Sequence, residues 1–592
     1  MCGVFGTTRP DLWEAHIGSV LASLRHRGPD GNGTWLNPDR TVLLAHTRLA
    51  IIGPGQTGSQ PATSSDNDIT LSFNGEIYNF RELHGQGSQS DTSVLCELLA
   101  KQGTDGLSQL RGMYASAAWD ARTSTFMAFR DPWGIKPLYV LRHPTGGVTV
   151  SSEIPVLLSL EALEVDPVGI ARYLLTGHTG SSITSFRNVS KLPIGVVMSW
   201  QKQGNGWVER SSRIGSHTHP QRIFADAFAE SMRYHLVSDV EVGVFLSGGM
   251  DSTLIAAVAR SLQPEVRTFT IAFPDHPAFD ESRRAEVNAR SLDVRFTAVP
   301  VTALDLAPAL DRFLTVHGEP FGDAAALPLV KLSEYAATQV KVVLAGEGAD
   351  ELFGGYGRYR VSSRLSSRAA QLGLSPLKPL AKRWSKLRGD SARDRALEAI
   401  LWGQGMSSHS ALLGGEEGWA AASGLPWAVD ADRYAGAEWA ALSGEDHLDR
   451  SRQYDLIHWL PNVYLEKTDR ATMAMSLEAR VPFLDPAVTA SPRAIGKVLK
   501  EPIQAELYRR LPDVLLPDHK KGLAVPISAL LARSLHYPRT DQLCSESSVL
   551  RRTLGASWQA ALRSRADRSA ALSYRVAVLG RWAELFSDSI KY

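Results

Sequence analysis

Residues 240–262 read VEVGVFLSGGMDSTLIAAVARSL. An apolar run of strand length is followed by a Gly-rich turn and then by a helical pattern. Such a run fits a strand buried on both faces, as in a parallel sheet. Gly248 and Gly249 allow backbone N–H groups to converge on an anion, and the following helix N-terminus adds its dipole. Ser247 and Ser252 add hydroxyl donors, and Asp251 suits a Mg²⁺ ion that bridges phosphate oxygens. No Gly-Lys-Ser/Thr is present, so this is not the common P-loop. A flexible Ser-Gly turn is the bland alternative, and its place directly after a buried strand argues against it.

The surrounding chain repeats the alternation. RIFADAFAESMRYHLV (222–237) has apolar residues at helical spacing. VRTFTIAF (266–273) reads as a strand, ESRRAEVNARSL (281–292) as a helix and VKVVLAG (340–346) as another buried strand. Strands alternating with helices predict a parallel α/β sheet. Ligands of such sheets sit at the carboxyl ends of the strands. The loop AGEGADELFGGY (345–356) lies at that end. Asp350 is therefore a candidate second magnesium ligand, and Glu347 a candidate for orienting substrate or moving a proton; acidic helix caps fit both equally well. Beyond about residue 360 the pattern is largely helical.

The first 205 residues differ. TVLLAHTRLAII, DITLSFNGEIYNF, MYASAAWD, STFMAFRD, PLYVLRH and GVTVSSE are short β-like runs separated by turns, which predicts antiparallel sheets. Two helices are expected, over 12–27 and over DTSVLCELLAKQ (91–102), the second capped by Asp91 or Thr92. Cys96 falls on the apolar stripe of that helix and reads as a core thiol. The polar, Gly/Ser-rich stretch QKQGNGWVERSSRIGSHTHPQ (201–221) reads as a linker. The expected organisation is a unit over 2–205, a linker over 206–221 and a second unit over 222–592.

Of the 592 residues, 44% are hydrophobic and 21% charged, an ordinary globular balance. Lys and Arg number 63 against 62 Asp and Glu, so there is no bulk positive field and nucleic acid is not an expected partner. The basic stretch KPLAKRWSKLR (378–388) reads as a solvated helix face. No apolar run reaches the length of a membrane span, and no secretory leader is read, so a cytoplasmic location is expected. Three cysteines, Cys2, Cys96 and Cys544, cannot form a disulfide framework.

Cys2 comes directly after the initiator Met. Removal of Met1 would place a free α-amine beside the thiol, where it can serve as general base for a strong nucleophile. By itself this is a weak signal. RHRGPDG (25–31), HTR (46–48), NGEIYN (74–79) and Asp91 supply what a primary-amide substrate with an amino-acid head requires. An Arg pairs with its α-carboxylate and an acidic residue with its α-ammonium. Asn74 and the Gly75 N–H can stabilise a tetrahedral oxyanion.

MCGVFG, RHRGPDG, HTRLAIIG, FNGEIYN, SDTSVL and RDPWGIKPLY together resemble the glutaminase domain of class II glutamine amidotransferases. The resemblance implies an N-terminal-nucleophile hydrolase, an αββα sandwich in which Cys2 attacks glutamine and releases ammonia through a thioester. Arg48, Asn74, Glu76 and Asp91 would hold glutamine, and Asn74 and Gly75 would form the oxyanion hole. SGGMDS, FDESRRAEVNA, GEPFGDAAALP, GEGADELFGGY, KTDRATMAMSLEARVPFLD (467–485) and HKKGLAVP (519–526) resemble the ATP pyrophosphatase (PP-loop) domain of asparagine synthetases. This second resemblance implies an α/β domain with a largely helical C-terminal part, using ATP and Mg²⁺.

The family places ATP on Ser247, Gly248, Gly249, Asp251, Ser252 and Gly346, with the adenine near Phe245, Leu246 and Ile271. It places the metal on Asp251 and Asp350. Glu347 and a lysine of the Lys-x-Gly pattern, Lys520 rather than Lys521, would act in catalysis. β-Lactam synthetases carry a tyrosine at the Glu347 position and lack the terminal Cys, so amide formation is favoured over ring closure. The expected reaction adenylates a carboxylate, which ammonia channelled from the Cys2 site then attacks. The expected acceptor is aspartate, with another small carboxylate of a specialised pathway as the alternative; Leu523, where the family commonly has Phe, leaves that open. A homodimer is a further possibility. Arg470, Ser476, Glu478 and Arg480 read either as site residues or as a buried ion-pair network.

Overall fold

The computed structural model describes residues 2–591 except 54–57, 85–89, 161, 216–218, 365–377, 388–390, 403–405, 414, 416–425, 492–499, 518–524, 527–561 and 563–568. The first half forms two antiparallel sheets. One contains β1 (Cys2–Thr7), β2 (Gly31–Leu36), β3 (Leu43–Arg48), β8 (Tyr139–Arg142), β9 (Val148–Ser151) and β11 (Val189–Lys191) in the order β11-β8-β9-β1-β3-β2. The other contains β4 (Ala62–Thr63), β5 (Ile69–Ile77), β6 (Gly112–Asp120), β7 (Thr125–Arg130), β12 (Val196–Gln203) and β13 (Gly206–Arg213) in the order β13-β12-β7-β6-β5-β4.

Side chains alternate across these strands and fix the layers. Val4 and Leu44 of the first sheet meet Ala117, Phe126 and Trp200 of the second in one core. Phe5, Leu43 and Ala45 point the other way, onto α1 (Ile17–Leu24) through Val20 and Leu24. Leu71 and Phe73 point outward onto α2 (Asp91–Gln102) through Val94, Leu95 and Leu99. The result is the expected αββα sandwich. Cys96 lies in that outer core, and burial pushes its thiol up.

Three local expectations need correction. The predicted helix over 12–27 is broken into Pro10–Trp13, a tight turn over Glu14–His16, and α1. Trp13 is buried against Phe5, with ring centroids 5.0 Å apart, and the turn re-aims the chain after it. The cap of α2 is Ser90, whose side chain accepts from Ser93 N, because the Asp91 carboxylate turns inward to accept from Ile77 N at 3.2 Å. The stretch expected as a linker opens instead with β13, paired along its length with β12. It looks like a linker because it is an edge strand, exposed along most of its length and therefore polar.

The second half is built on a five-stranded parallel sheet, β16-β15-β14-β17-β18, comprising β14 (Val242–Phe245), β15 (Arg267–Ala272), β16 (Arg295–Pro300), β17 (Val342–Leu344) and β18 (Glu478–Arg480). Val342 and Leu344 pack on one face with α3 (Phe224–His235) and α4 (Met250–Leu262). Val343 packs on the other with α5 (Ala326–Ala336). Both faces are covered, which is why these strands read as continuous apolar runs. A short parallel pair, β10 (Leu163–Glu164) with β19 (Ile590–Lys591), ties residue 590 back to the first half. Among the described residues no helix is long and apolar enough to cross a membrane.

Candidate active sites and the helix between them

Strand register assembles the first site. Cys2 opens β1 and lies opposite Arg48 at the end of β3. Cys2 N donates to Asn74 Oδ1 at 2.9 Å; once Met1 is removed, that nitrogen is the α-amine. This bond turns the Asn74 amide so that Nδ2 is buried with no hydrogen-bond partner among the described residues. A buried donor without an acceptor is costly unless a ligand completes it. Gly75 tolerates no side chain: a Cβ there would lie 2.0 Å from Met113 O, and its φ is +154°.

Glu76 is buried, and one carboxylate oxygen, Oε1, has no partner among the described residues. Burial, with Asp91 nearby, pushes its pKa well above the usual carboxylate range, so its ionised form needs a cation beside it. Asp91 is also buried and raised, chiefly by desolvation. The Arg48 guanidinium donates to Gly53 O at 2.5 Å and Ile52 O at 3.2 Å, which fixes its aim. Burial pushes the Cys2 thiol up.

The second site is a cavity of about 630 Å³ at the carboxyl end of the parallel sheet. Phe245, Leu246, Ser247, Gly249, Asp251 and Ser252 line it from β14 and the turn; Ile271 lines it from β15, and Gly346, Glu347 and Asp350 from the loop after β17. Gly248 belongs to the same turn without facing the cavity; its φ is +71°, and a Cβ would meet Ala285 N at 2.9 Å. Ser247 N donates to Ser252 Oγ at 3.1 Å, which ties the turn to the first turn of α4. Lys520 lies outside the described residues, as do Lys521 and Leu523.

Asp251 and Asp350 converge on one group that the sequence reading missed. Lys500 Nζ lies 2.6 Å from Asp350 Oδ1 and also pairs with Asp251 Oδ2. Two carboxylates from the first turns of separate helices gathered around one ammonium are a donor set that fits a divalent cation completed by water and phosphate oxygens. Lys500 precedes the helix Glu501–Arg510 with a φ of +60°, and nothing in its local sequence marks it.

Helix α6 (Leu465–Met473) spans the gap between the sites. Positions 466, 469 and 470 face the sandwich, as three- and four-residue spacing requires. Glu466 pairs with Lys191 at 3.2 Å and accepts from the Tyr139 hydroxyl. Asp469 accepts from Arg27 Nη1 at 2.9 Å, while Arg27 Nε donates to Cys2 O at 3.1 Å. Arg470 donates to Glu153 Oε1 and to Ser152 O, at 3.1 and 3.0 Å. Burial alone would raise Glu466 and Asp469; Lys191 and Arg27 respectively hold them below the usual range. On the cavity side, Thr468 Oγ1 donates to Glu347 Oε1 at 2.5 Å, and Lys467 Nζ donates to Asp323 Oδ2 at 2.8 Å.

Arg470, Glu478 and Arg480 thus lie in buried ion-pair networks, and Ser476 Oγ donates to His26 O at 2.6 Å. The sequence marks this stretch as dense in charge, but most of the partners are hundreds of residues away.

Sandwich, phosphate-type loop and the helix joining them define a glutamine-dependent amidotransferase coupled to an ATP-using ligase domain. The chain belongs to the asparagine synthase family, whose pattern it matches over residues 224–583, after a glutamine amidotransferase domain matched over residues 1–210. A Mycobacterium tuberculosis protein provisionally named a glutamine-hydrolysing asparagine synthetase is 34% identical, over 89% of this chain and 88% of its own. Asparagine synthetase (glutamine-hydrolysing) 1 of Bacillus subtilis is 28% identical, over 86% and 84% respectively. Asparagine synthetase B of Escherichia coli is also 28% identical, over 60% of this chain and 65% of its own.

Proposed function

We propose that this chain hydrolyses glutamine at Cys2 and uses the ammonia to amidate aspartate, with ATP converted to AMP and pyrophosphate. The observation that carries this reading is a pair of unlike sites held by one buried helix: a nucleophile beside a partnerless amide donor, and a Ser-Gly turn beside converging carboxylates.

Glutamine's α-ammonium fits Glu76 and Asp91, and its α-carboxylate fits Arg48. The Cys2 thiol adds to the side-chain carbonyl, and its proton passes to the α-amine. Charge developing on the carbonyl oxygen is met by Asn74 Nδ2 and the Gly75 N–H, groups that need no reorganisation to donate. Ammonia leaves as the thioester forms, and water releases glutamate.

In the second site the turn Ser247–Ser252 fits the pyrophosphate part of ATP, and Phe245, Leu246 and Ile271 offer an apolar wall for the base. Asp251 and Asp350 would hold Mg²⁺, which supplies charge neutralisation to the leaving pyrophosphate. Glu347, held by Thr468, would orient the incoming ammonia or accept its proton. The glutaminase unit takes in β1–β13, and the synthetase unit begins at α3.

The test is AMP release from the purified enzyme with ATP, Mg²⁺ and glutamine, with and without aspartate, with products identified by mass spectrometry. Aspartate-dependent AMP with an equal amount of asparagine is expected. Glutamine hydrolysis without aspartate-dependent AMP would overturn the acceptor.

A further inference from the structure

Among the charged residues of α6, Lys467 differs in direction. Glu466, Asp469 and Arg470 are spent on the sandwich, whereas Lys467 lines the synthetase cavity. Its ammonium has three donors, and among the described residues its one hydrogen-bond acceptor is Asp323. Asp323 is itself anchored: Oδ1 accepts from Ala325 N at 3.0 Å, just ahead of α5. The two side chains therefore come from different elements, each fixed independently; Lys467 lines the cavity, and Asp323 adjoins it through that ammonium.

We propose that Lys467 and Asp323 form the head-group subsite for the acceptor, Lys467 taking the α-carboxylate and Asp323 the α-ammonium of an amino acid whose side-chain carboxylate faces ATP. This rests on the reading of the cavity as the adenylation site. An ammonium beside a carboxylate is the charge complement of a zwitterionic head, which inserts by exchanging one ion pair for two charge-assisted contacts. The next residue along the helix, Thr468, holds Glu347, and Gly346 lies against Asp251: a Cβ there would be 3.4 Å from Asp251 Cβ. The head-group pair is thus one residue removed from the group that orients the reacting end. Burial alone would lower the Lys467 pKa, but Asp323 raises it above its ordinary value, so the ammonium is charged at neutral pH. Asp323 repels a dicarboxylate that lacks the α-amine, so the subsite selects by exclusion as well as by attraction.

The experiment measures AMP release by the full-length enzyme with aspartate and with succinate, in the parent and in Lys467→Met, Lys467→Arg and Asp323→Asn, with folding checked by thermal melting. Lys467→Met and Asp323→Asn are expected to raise KM for aspartate at least tenfold while KM for ATP stays within twofold. Lys467→Arg should recover part of the loss. Asp323→Asn should shrink the preference for aspartate over succinate at least tenfold, which a purely structural pin between α5 and α6 would not do. An unchanged KM for aspartate in a folded variant, or KM values for ATP and aspartate rising together at constant preference, overturns the subsite while leaving the acceptor reading intact. A parent enzyme that releases AMP only with acceptors lacking an α-amine overturns both.

Discussion

Arg480 Nη2 lies 3.3 Å from Glu76 Oε2, across the boundary between the two halves of the chain. The same residue accepts from Ala345 N at 2.9 Å through its backbone carbonyl, which anchors the loop that carries Glu347. One residue of β18 therefore touches a carboxylate of the first candidate site with its side chain and the loop lining the second with its backbone.

Replacing Arg480 by Met strips the counter-charge from buried Glu478, which Arg480 holds below the usual range, and removes a partner of buried Glu76. Removing one partner of a buried pair costs about 3–5 kcal/mol. The expected outcome is a lower urea midpoint, partly restored by adding Glu478→Gln. Full stability of Arg480→Met would show that water already screens the pair.

Cys2→Ala should abolish glutamine use but retain AMP release with ammonia, because the Cys2 side chain lines no part of the synthetase cavity and its bond to Arg27 is made by the backbone. Asn74→Ala should lower kcat for glutamine hydrolysis by about 10²–10³, the effect of losing one oxyanion donor. Loss of ammonia-dependent synthesis in Cys2→Ala would mean that the residue is structural.

Asp251→Asn should cut AMP release by more than about a hundredfold with either nitrogen donor. Chelating divalent metal should do the same and leave glutamine hydrolysis standing. A near-normal rate in Asp251→Asn would remove the residue from the metal set.

Glu319 is buried, and its Oε1 accepts from Ser185 N at 2.5 Å. Burial pushes its pKa up to about 7, against opposing attraction from Lys191 and with Glu466 adding to the rise. The unfolded carboxyl titrates near ~4.3, so the folded state retains a proton that the unfolded state loses. The contribution is complete below the unfolded value and is lost as pH rises through about 7. Chemical denaturation at pH 5.5 and pH 8 should show the parent losing about 2 kcal/mol more than Glu319→Gln. Parallel pH profiles would exclude the shift.

Much of this was legible because its causes are local. The helix over 91–102 comes from apolar spacing, and the Ser-Gly turn after VEVGVFL from the need of a buried strand to end at its ligand. Cys2, Asn74 and Arg48 could be named together, yet only strand register brings Cys2 opposite Arg48. What stayed hidden depends on contacts between distant residues. Arg27 and Asp469 are 442 positions apart, and no window of sequence holds both. Lys500 sits in a single left-handed residue before a helix, without a motif. The false linker over 206–213 shows the converse: edge strands are polar because one side faces water, the same composition a connector has.

The face of α6 that meets the sandwich bears on how this enzyme can change over evolution or by design. In chain order the two catalytic units look like interchangeable cassettes. Yet Glu466, Asp469 and Arg470 fit only a partner that presents Lys191, Tyr139, Arg27 and Glu153 in register. A glutaminase transplanted from a distant relative would strand charges in a dry interface, and a one-residue deletion in α6 would turn that face by about 100°. Successful chimaeras will therefore be those that carry both sides of this interface together.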